Sequence, residues 1–310
     1  MRTSIVALSL AAVLLAAACD TRPESPAFNE TTTTTTTLPG ADVVTTTTVT
    51  LPPPDLRVTG TVISTIDGDT VEIDINGTTS DVRLLGINAP EMDECWGQEA
   101  AVKLASMVQG REVVLASGPD DTDSFGRLLR YLYLEGDGEP QFVNAEMVAS
   151  GNAVGLQDGS ETASSIKAYE ARAYQSGYGM WATFACGDLE GTTVDRPVIR
   201  VSELAADPSG PDADVLSEEY ITIVNEGYDG VSIAGWTLRD ESSSNRYTFE
   251  QGQVLDLGES ITVVTGCDGG PVGAVHWCSD QAVWSNGGDT AIILDTLGNA
   301  VVWYTYGPTG

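Results

Sequence analysis

The chain has 310 residues, with 45 acidic against 14 basic side chains and one histidine, giving a formal net charge of −31 at neutral pH. Such a balance excludes a general basic coat for nucleic acid or a membrane protein held by charge, since both rely on clustered Lys and Arg, and one histidine leaves almost no room for histidine-dependent catalysis. With 42% hydrophobic and 19% charged residues the chain can bury real cores, and its length suits about two domains.

In chain order, Arg2 precedes the apolar run Ile5 to Ala18, too short to span a bilayer, and Ala16-Ala17-Ala18 leads into Cys19. Residues 1–19 therefore read as a signal peptide with basic end, apolar core and small-residue processing site. A cysteine directly after the small residues, with Leu14 and Leu15 before them, resembles a bacterial lipoprotein site. That resemblance makes Cys19 the lipid-bearing N-terminus, the membrane being touched only through the lipid, with ordinary secretion as the alternative. Either outcome puts the mature chain outside the cytoplasm. Residues 20–55 carry Thr31 to Thr37, Thr45 to Thr48 and Pro52-Pro53-Pro54 with few large apolar side chains, a Thr/Pro-rich disordered linker that could reach about 100 Å at roughly 3 Å per residue.

From residue 56 the composition becomes globular. The four remaining cysteines fall into two pairs, Cys95 with Cys186 and Cys267 with Cys278; in an oxidising compartment these are disulfides, there being no Cys-x-x-Cys spacing for zinc. Residues 55–187 hold 21 acids and 8 bases, and residues 188–310 hold 20 and 4, so both halves are acidic. Over 56–187 a period-two stretch from Val58 to Ser64 leads through Asp67-Gly68-Asp69 to alternating Val71, Ile73 and Ile75. Asn76-Gly77 is a strong hairpin turn, and a third strand, Val82 to Ile87, stops at Asn88-Ala89-Pro90. Glu99 to Val108 has helical spacing, Val113 to Ala116 and Leu128 to Leu134 read as strands, and helices follow at Val143 to Ala149 and Ala163 to Gln175. This order suits an α+β five-stranded OB-type barrel with three helices.

Three segments carry the chemistry: Asp67-Gly68-Asp69-Thr70, Arg83-Leu84-Leu85-Gly86-Ile87-Asn88-Ala89-Pro90-Glu91, and Asp123-Ser124-Phe125-Gly126-Arg127. Each alone is a common turn or strand; in this order and spacing they resemble the staphylococcal (thermo)nuclease family over residues 57–186. Attack of water on a phosphodiester piles negative charge on the phosphoryl oxygens, so fixed guanidiniums and a metal ion are natural stabilisers. Arg83 and Arg127 suit that role because the planar fork binds two oxygens and stays protonated. By the resemblance, Glu91 orients or deprotonates the water. A metal site of Asp69, Asn88 and the Ala89 carbonyl, with Asp67 behind it, offers only oxygen and favours Ca²⁺. Asp67 reads equally well as a turn carboxylate bonding its own backbone. The family has aspartate where this chain has Asn88, a basic residue where it has Ser124, and tyrosines that are not evident near Gly155-Leu156-Gln157-Asp158. The resemblance thus implies a Ca²⁺-dependent, sequence-nonspecific nuclease acting on DNA and RNA and leaving 3′-phosphates, with weakened metal affinity. The alternative is a catalytically weak nucleic-acid or surface-binding module.

After a linker over 188–195, residues 196–308 are short alternating strands: Val198 to Glu203, Tyr220 to Val224, Val231 to Leu238, Gln253 to Leu257, Ile261 to Val264 and Ala291 to Leu294. An all-β immunoglobulin-like sandwich follows. The runs from Glu219 to Asn225, Ile233 to Leu238 and Val283 to Ala291 look like the lamin-tail domain. No second catalytic set is present there. Trp236, Trp284 and the Asn286-Gly287-Gly288-Asp289 turn read as core and turn residues, with a surface for a protein, cell wall or nucleic acid as the lesser reading. His276 beside Trp277 reads as a surface loop residue.

Overall fold

A computed structural model of the chain describes residues 32–36, 44–48, 58–136, 139–157, 161–187, 198–206, 208–210, 214–242 and 244–307. The signal peptide, Cys19 and the 188–195 linker lie outside the described residues. Within the Thr/Pro-rich stretch, β1 (Thr32–Thr36) pairs antiparallel with β2 (Val44–Thr48). The extended backbone of these two runs follows the preference of β-branched threonine.

The first domain comprises β3 (Val58–Thr65), β4 (Thr70–Ile75), β5 (Thr78–Leu84), β6 (Ile87–Asn88), α1 (Gly97–Val108), β7 (Glu112–Thr122), β8 (Leu128–Leu134), β9 (Gln141–Phe142), α2 (Val143–Ala149), β10 (Val154–Gly155) and α3 (Glu161–Ser176). Strands run in the order β5-β4-β3-β7-β8, and a parallel pairing of β5 with β8 closes the five-stranded barrel. Asn76 and Gly77 both have positive φ (55° and 82°), the twist a two-residue hairpin demands. The expected third strand ends three residues early. Gly86 turns at φ 71°, and the chain leaves the barrel to pair β6 with β10, Asn88 opposite Val154. Helix α1 buries Gly97, Ala100, Leu104, Met107 and Val108, one face at helical spacing, against the barrel core of Val62, Val71, Ile73, Val82 and Leu132.

The second domain comprises β11 (Ile199–Ala205), β12 (Tyr220–Asn225), β13 (Val231–Ser232), β14 (Thr237–Arg239), β15 (Arg246–Thr248), β16 (Val254–Leu255), β17 (Ser260–Val264), β18 (Val275–His276), β19 (Asp289–Leu294) and β20 (Ala300–Tyr306). Two four-stranded sheets, β11-β12-β17-β18 and β15-β14-β19-β20, sandwich a core that includes Ile221, Trp236, Phe249, Val263, Trp284 and Ile293. The single strand expected over Val231 to Leu238 is two, β13 and β14, because a turn closes from Trp236 N–H to the Ile233 carbonyl with Gly235 at φ 77°. His276 belongs to β18, beside Val264 of β17, and not to a loop. Disulfides join Cys95 to Cys186 and Cys267 to Cys278.

The domains share a third core. Val154, Ala173, Met180 and Trp181 of the first pack with Ile292 and Ala300 of the second. Trp303 stacks on Tyr174 at 5.1 Å and donates its indole N–H to Glu170 at 3.0 Å. Lys167 of α3 lies between Glu170 (3.1 Å) and Glu241 (2.9 Å), so a half-buried lysine joins a carboxylate from each domain.

Candidate active site

The tight turn between β3 and β4 is built for a buried acid. Asp67 Oδ1 accepts the Asp69 N–H at 2.9 Å, which rotates Asp69 inward. Gly68 permits the close approach: a Cβ there would lie 2.5 Å from Ala89 Cβ and 2.7 Å from Ala100 Cβ. Asp69 is only 5% exposed. Its Oδ2 accepts the Ala89 N–H at 2.7 Å and pairs with Arg83 Nη2 at 2.9 Å, while its Oδ1 accepts the Thr70 hydroxyl at 3.1 Å. Burial pushes the Asp69 carboxyl up to about 7 despite the opposing Arg83 charge.

Arg83, near the end of β5, is held on four oxygens. Its Nη1 donates to the Leu84 and Ile87 carbonyls, both at 2.8 Å, and its Nη2 to Asn88 Oδ1 at 2.9 Å as well as to Asp69. Asn88 is buried and spends its other end across the domain boundary, where Nδ2 donates to the Glu241 carbonyl at 3.2 Å. An aspartate there would set one acceptor against another, which accounts for the amide at this position. Asp69, Arg83, Asn88 and Ala89 are thus brought together, with Ala89 entering through its N–H.

Glu91 is exposed on the loop three residues beyond Asn88, and among the described residues its carboxylate has no partner, leaving it open to water. The loop is braced on both sides. Glu91 N–H donates to Glu94 Oε2 at 3.1 Å, Glu94 pairs with Arg246 of the second domain, and Gly97 sits so close to the Glu91 carbonyl that a Cβ would be 1.8 Å from it. The Cys95–Cys186 disulfide anchors the same segment.

Arg127 lies just ahead of β8, two residues before Leu129, the partner of Arg83 in the barrel-closing pair. Among the described residues it makes no bond to the Asp69–Arg83 cluster. Instead its Nε donates to Asp123 at 2.7 Å and its guanidinium lies 5.4 Å from the Phe125 ring centre, that ring being 84% exposed. Burial acts upward on the Asp123 carboxyl, but hydrogen bonds from the Arg127 side chain and from the Arg127 and Phe125 N–H groups outweigh it and hold it below the usual range. Asp123 is therefore the residue that orients Arg127, a role the motif alone did not assign. Glu241, Glu94 and Arg246 were not legible either, because nothing local in the sequence points across the boundary.

Among the described residues no group of three or more His, Cys, Asp or Glu side chains could hold a metal. The oxygens that converge are one carboxylate, Asp69, and one amide, Asn88.

Comparison with known proteins matches residues 81–183 to the family described as staphylococcal nuclease homologue and residues 193–308 to the lamin tail domain. The chain is 31% identical over 129 residues to a micrococcal nuclease of Shigella flexneri, covering 40% of this chain and 73% of the relative. It is 35% identical over 102 residues to protein ParB of Escherichia coli, covering 31% and 56%. It is 33% identical over 122 residues to an uncharacterized endonuclease of Haemophilus influenzae, covering 39% and 65%. Two of these three matches thus span less than two thirds of the relative.

Proposed function

Because the chain belongs to the staphylococcal nuclease homologue family, we propose that it is an extracytoplasmic, Ca²⁺-dependent nuclease that hydrolyses phosphodiester bonds of DNA and RNA without sequence specificity. The observation that carries this reading is the convergence of Asp69, Arg83 and Asn88 at one end of the barrel beside the loop bearing Glu91.

The residues present fit a hard cation. Asp69 Oδ2 and Asn88 Oδ1 each lie 2.9 Å from one nitrogen of Arg83, so two oxygens already face a single positive centre. An all-oxygen set suits Ca²⁺, and the uncharged amide makes the binding weak. When bound, the ion supplies positive charge to the phosphoryl oxygens. Arg83, exchanging its carbonyl partners for substrate, and Arg127, presented by Asp123, bind those oxygens as charge grows on them. Glu91 takes the proton of the attacking water; oxygen adds to phosphorus, the bond to the 5′-oxygen breaks, that oxygen leaves as a hydroxyl by taking a proton from solvent, and a 3′-phosphate remains.

The four internal acceptors of Arg83 favour a second reading, a catalytically weak binding module. One assay separates the two: the whole chain is incubated with DNA and with RNA, in Ca²⁺ or EGTA, beside Glu91→Gln and Arg127→Lys. The enzyme reading expects Ca²⁺-dependent cleavage that falls by about 100-fold or more in each variant; binding without cleavage in any condition supports the module. The two disulfides support an oxidising compartment. Lipid anchoring at Cys19 expects Cys19→Ala to move the chain from the membrane fraction to the medium.

A further inference from the structure

Between the two domains lies a cavity of about 270 Å³, lined among others by Arg239, Arg246, Glu94, Asp295 and Thr237. Arg239 and Arg246 are directly opposite each other on β14 and β15, where like charges repel. Residues 188–310 contain four arginines and no lysine, so half of that domain's cations face this one space. Arg246 is paired with Glu94. Arg239 is only 5% exposed, and among the described residues its buried Nε has no hydrogen-bond partner. A buried guanidinium carries five donors, and native structures rarely leave such donors empty. Burial first, and Arg246 second, pull its pKa down to about 10, which leaves it charged at neutral pH.

The neighbouring carboxylates are committed elsewhere. Asp295 accepts the N–H groups of Leu297 and Asn299 and the Asn299 amide. Glu170 serves Lys167 and Trp303, and Asp240 serves Ser242 and Asn245. What remains is a planar guanidinium lining a cavity of about 270 Å³, with one donor buried and unbonded, beside a second guanidinium. That is the recognition chemistry of a tetrahedral oxyanion.

We propose that the interdomain cavity is a phosphate-binding site held by Arg239, with Arg246 beside it, separate from the Asp69–Arg83 cluster, taking inorganic phosphate or the terminal phosphate of a nucleotide. The test is calorimetric titration of the whole chain, in EGTA so that cleavage plays no part, with sodium phosphate and with a 3′-phosphorylated dinucleotide, at constant ionic strength. Arg239→Met should weaken phosphate binding by about tenfold or more, and Arg239→Lys, which keeps charge but loses the fork, by a smaller factor. No phosphate binding by the native chain, binding unaltered in Arg239→Met, or binding matched by chloride overturns the proposal. Should Arg239→Met fail to fold, Arg239→Lys decides: a correctly folded Arg239→Lys that binds phosphate like the native chain also overturns it. Competition by the dinucleotide identifies a nucleotide end as the source, and binding of phosphate alone identifies the free ion; either supports the site. Because no arm reads cleavage, failure of the nuclease reading leaves this result untouched.

Discussion

Asn88 is the side chain on which both the site and the domain contact turn, with its oxygen on Arg83 and its nitrogen on the Glu241 carbonyl. Asn88→Asp adds the charge the oxygen cluster lacks and deletes the donor to Glu241. Calorimetric titration should show tighter Ca²⁺ binding, and melting in EGTA should show a loss of about 1–3 kcal/mol, since a buried carbonyl is left unpaired. Unchanged Ca²⁺ affinity would remove Asn88 from the ligand set. A second prediction concerns acid. Asp69 and Asp289 both have carboxyls raised from 3.8 to about 7, by burial first, then opposed by Arg83 in the one and reinforced by Glu241 in the other. A raised carboxyl keeps its proton in the folded chain when the unfolded chain has released it. Stability therefore falls as pH rises from about 4 to about 7. The melting temperature in EGTA should be higher at pH 5 than at pH 7.5, with a shallower slope in Asp69→Asn; a flat native profile would contradict the burial assigned to these groups. The lowered Asp123 works in the opposite direction and only at more acid pH.

The elements around the site leave room for little beyond hydrogen at key points. In Gly97→Ala the new Cβ meets the Glu91 carbonyl at 1.8 Å, so α1 must shift away from the loop. Overpacking of this kind costs about 1–3 kcal/mol, and we expect a lower melting temperature together with a fall in kcat, measured on a short DNA duplex, because Glu91 moves with its backbone. The same packing explains what the sequence could and could not disclose. Period-two alternation located the first two barrel strands, short apolar runs the other three, and helical spacing α1, because each pattern persists over enough residues to be seen. It failed at Gly86 and Gly235, where a single positive φ divides an apparently continuous run, and at β15 and β18, three and two residues long, too short to show a period. The three motifs named the polar residues that meet around Asp69. They were silent about Glu241, which reaches Asn88 from 153 residues away, since no local rule couples positions so distant.

At the scale of the whole molecule, a net charge of −31 opposes a polyanionic substrate at long range. Screening then assists encounter, so cleavage should rise with moderate NaCl before it falls; a steady decline from the lowest salt upward would show that a local basic cleft outweighs the global field. The shared core makes a different prediction. Trp303→Ala removes the ring stacked on Tyr174 and the donor to buried Glu170, costing about 3–5 kcal/mol, and should split one cooperative unfolding transition into two by calorimetry. The seam formed by Val154, Ala173, Met180 and Trp181 against Ile292 and Ala300 also bears on how each domain behaves alone. A protease cut near residue 187 would release a fragment whose greasy flank faces water and invites clumping. A barrel domain prepared alone would therefore need polar side chains at those positions to stay dispersed.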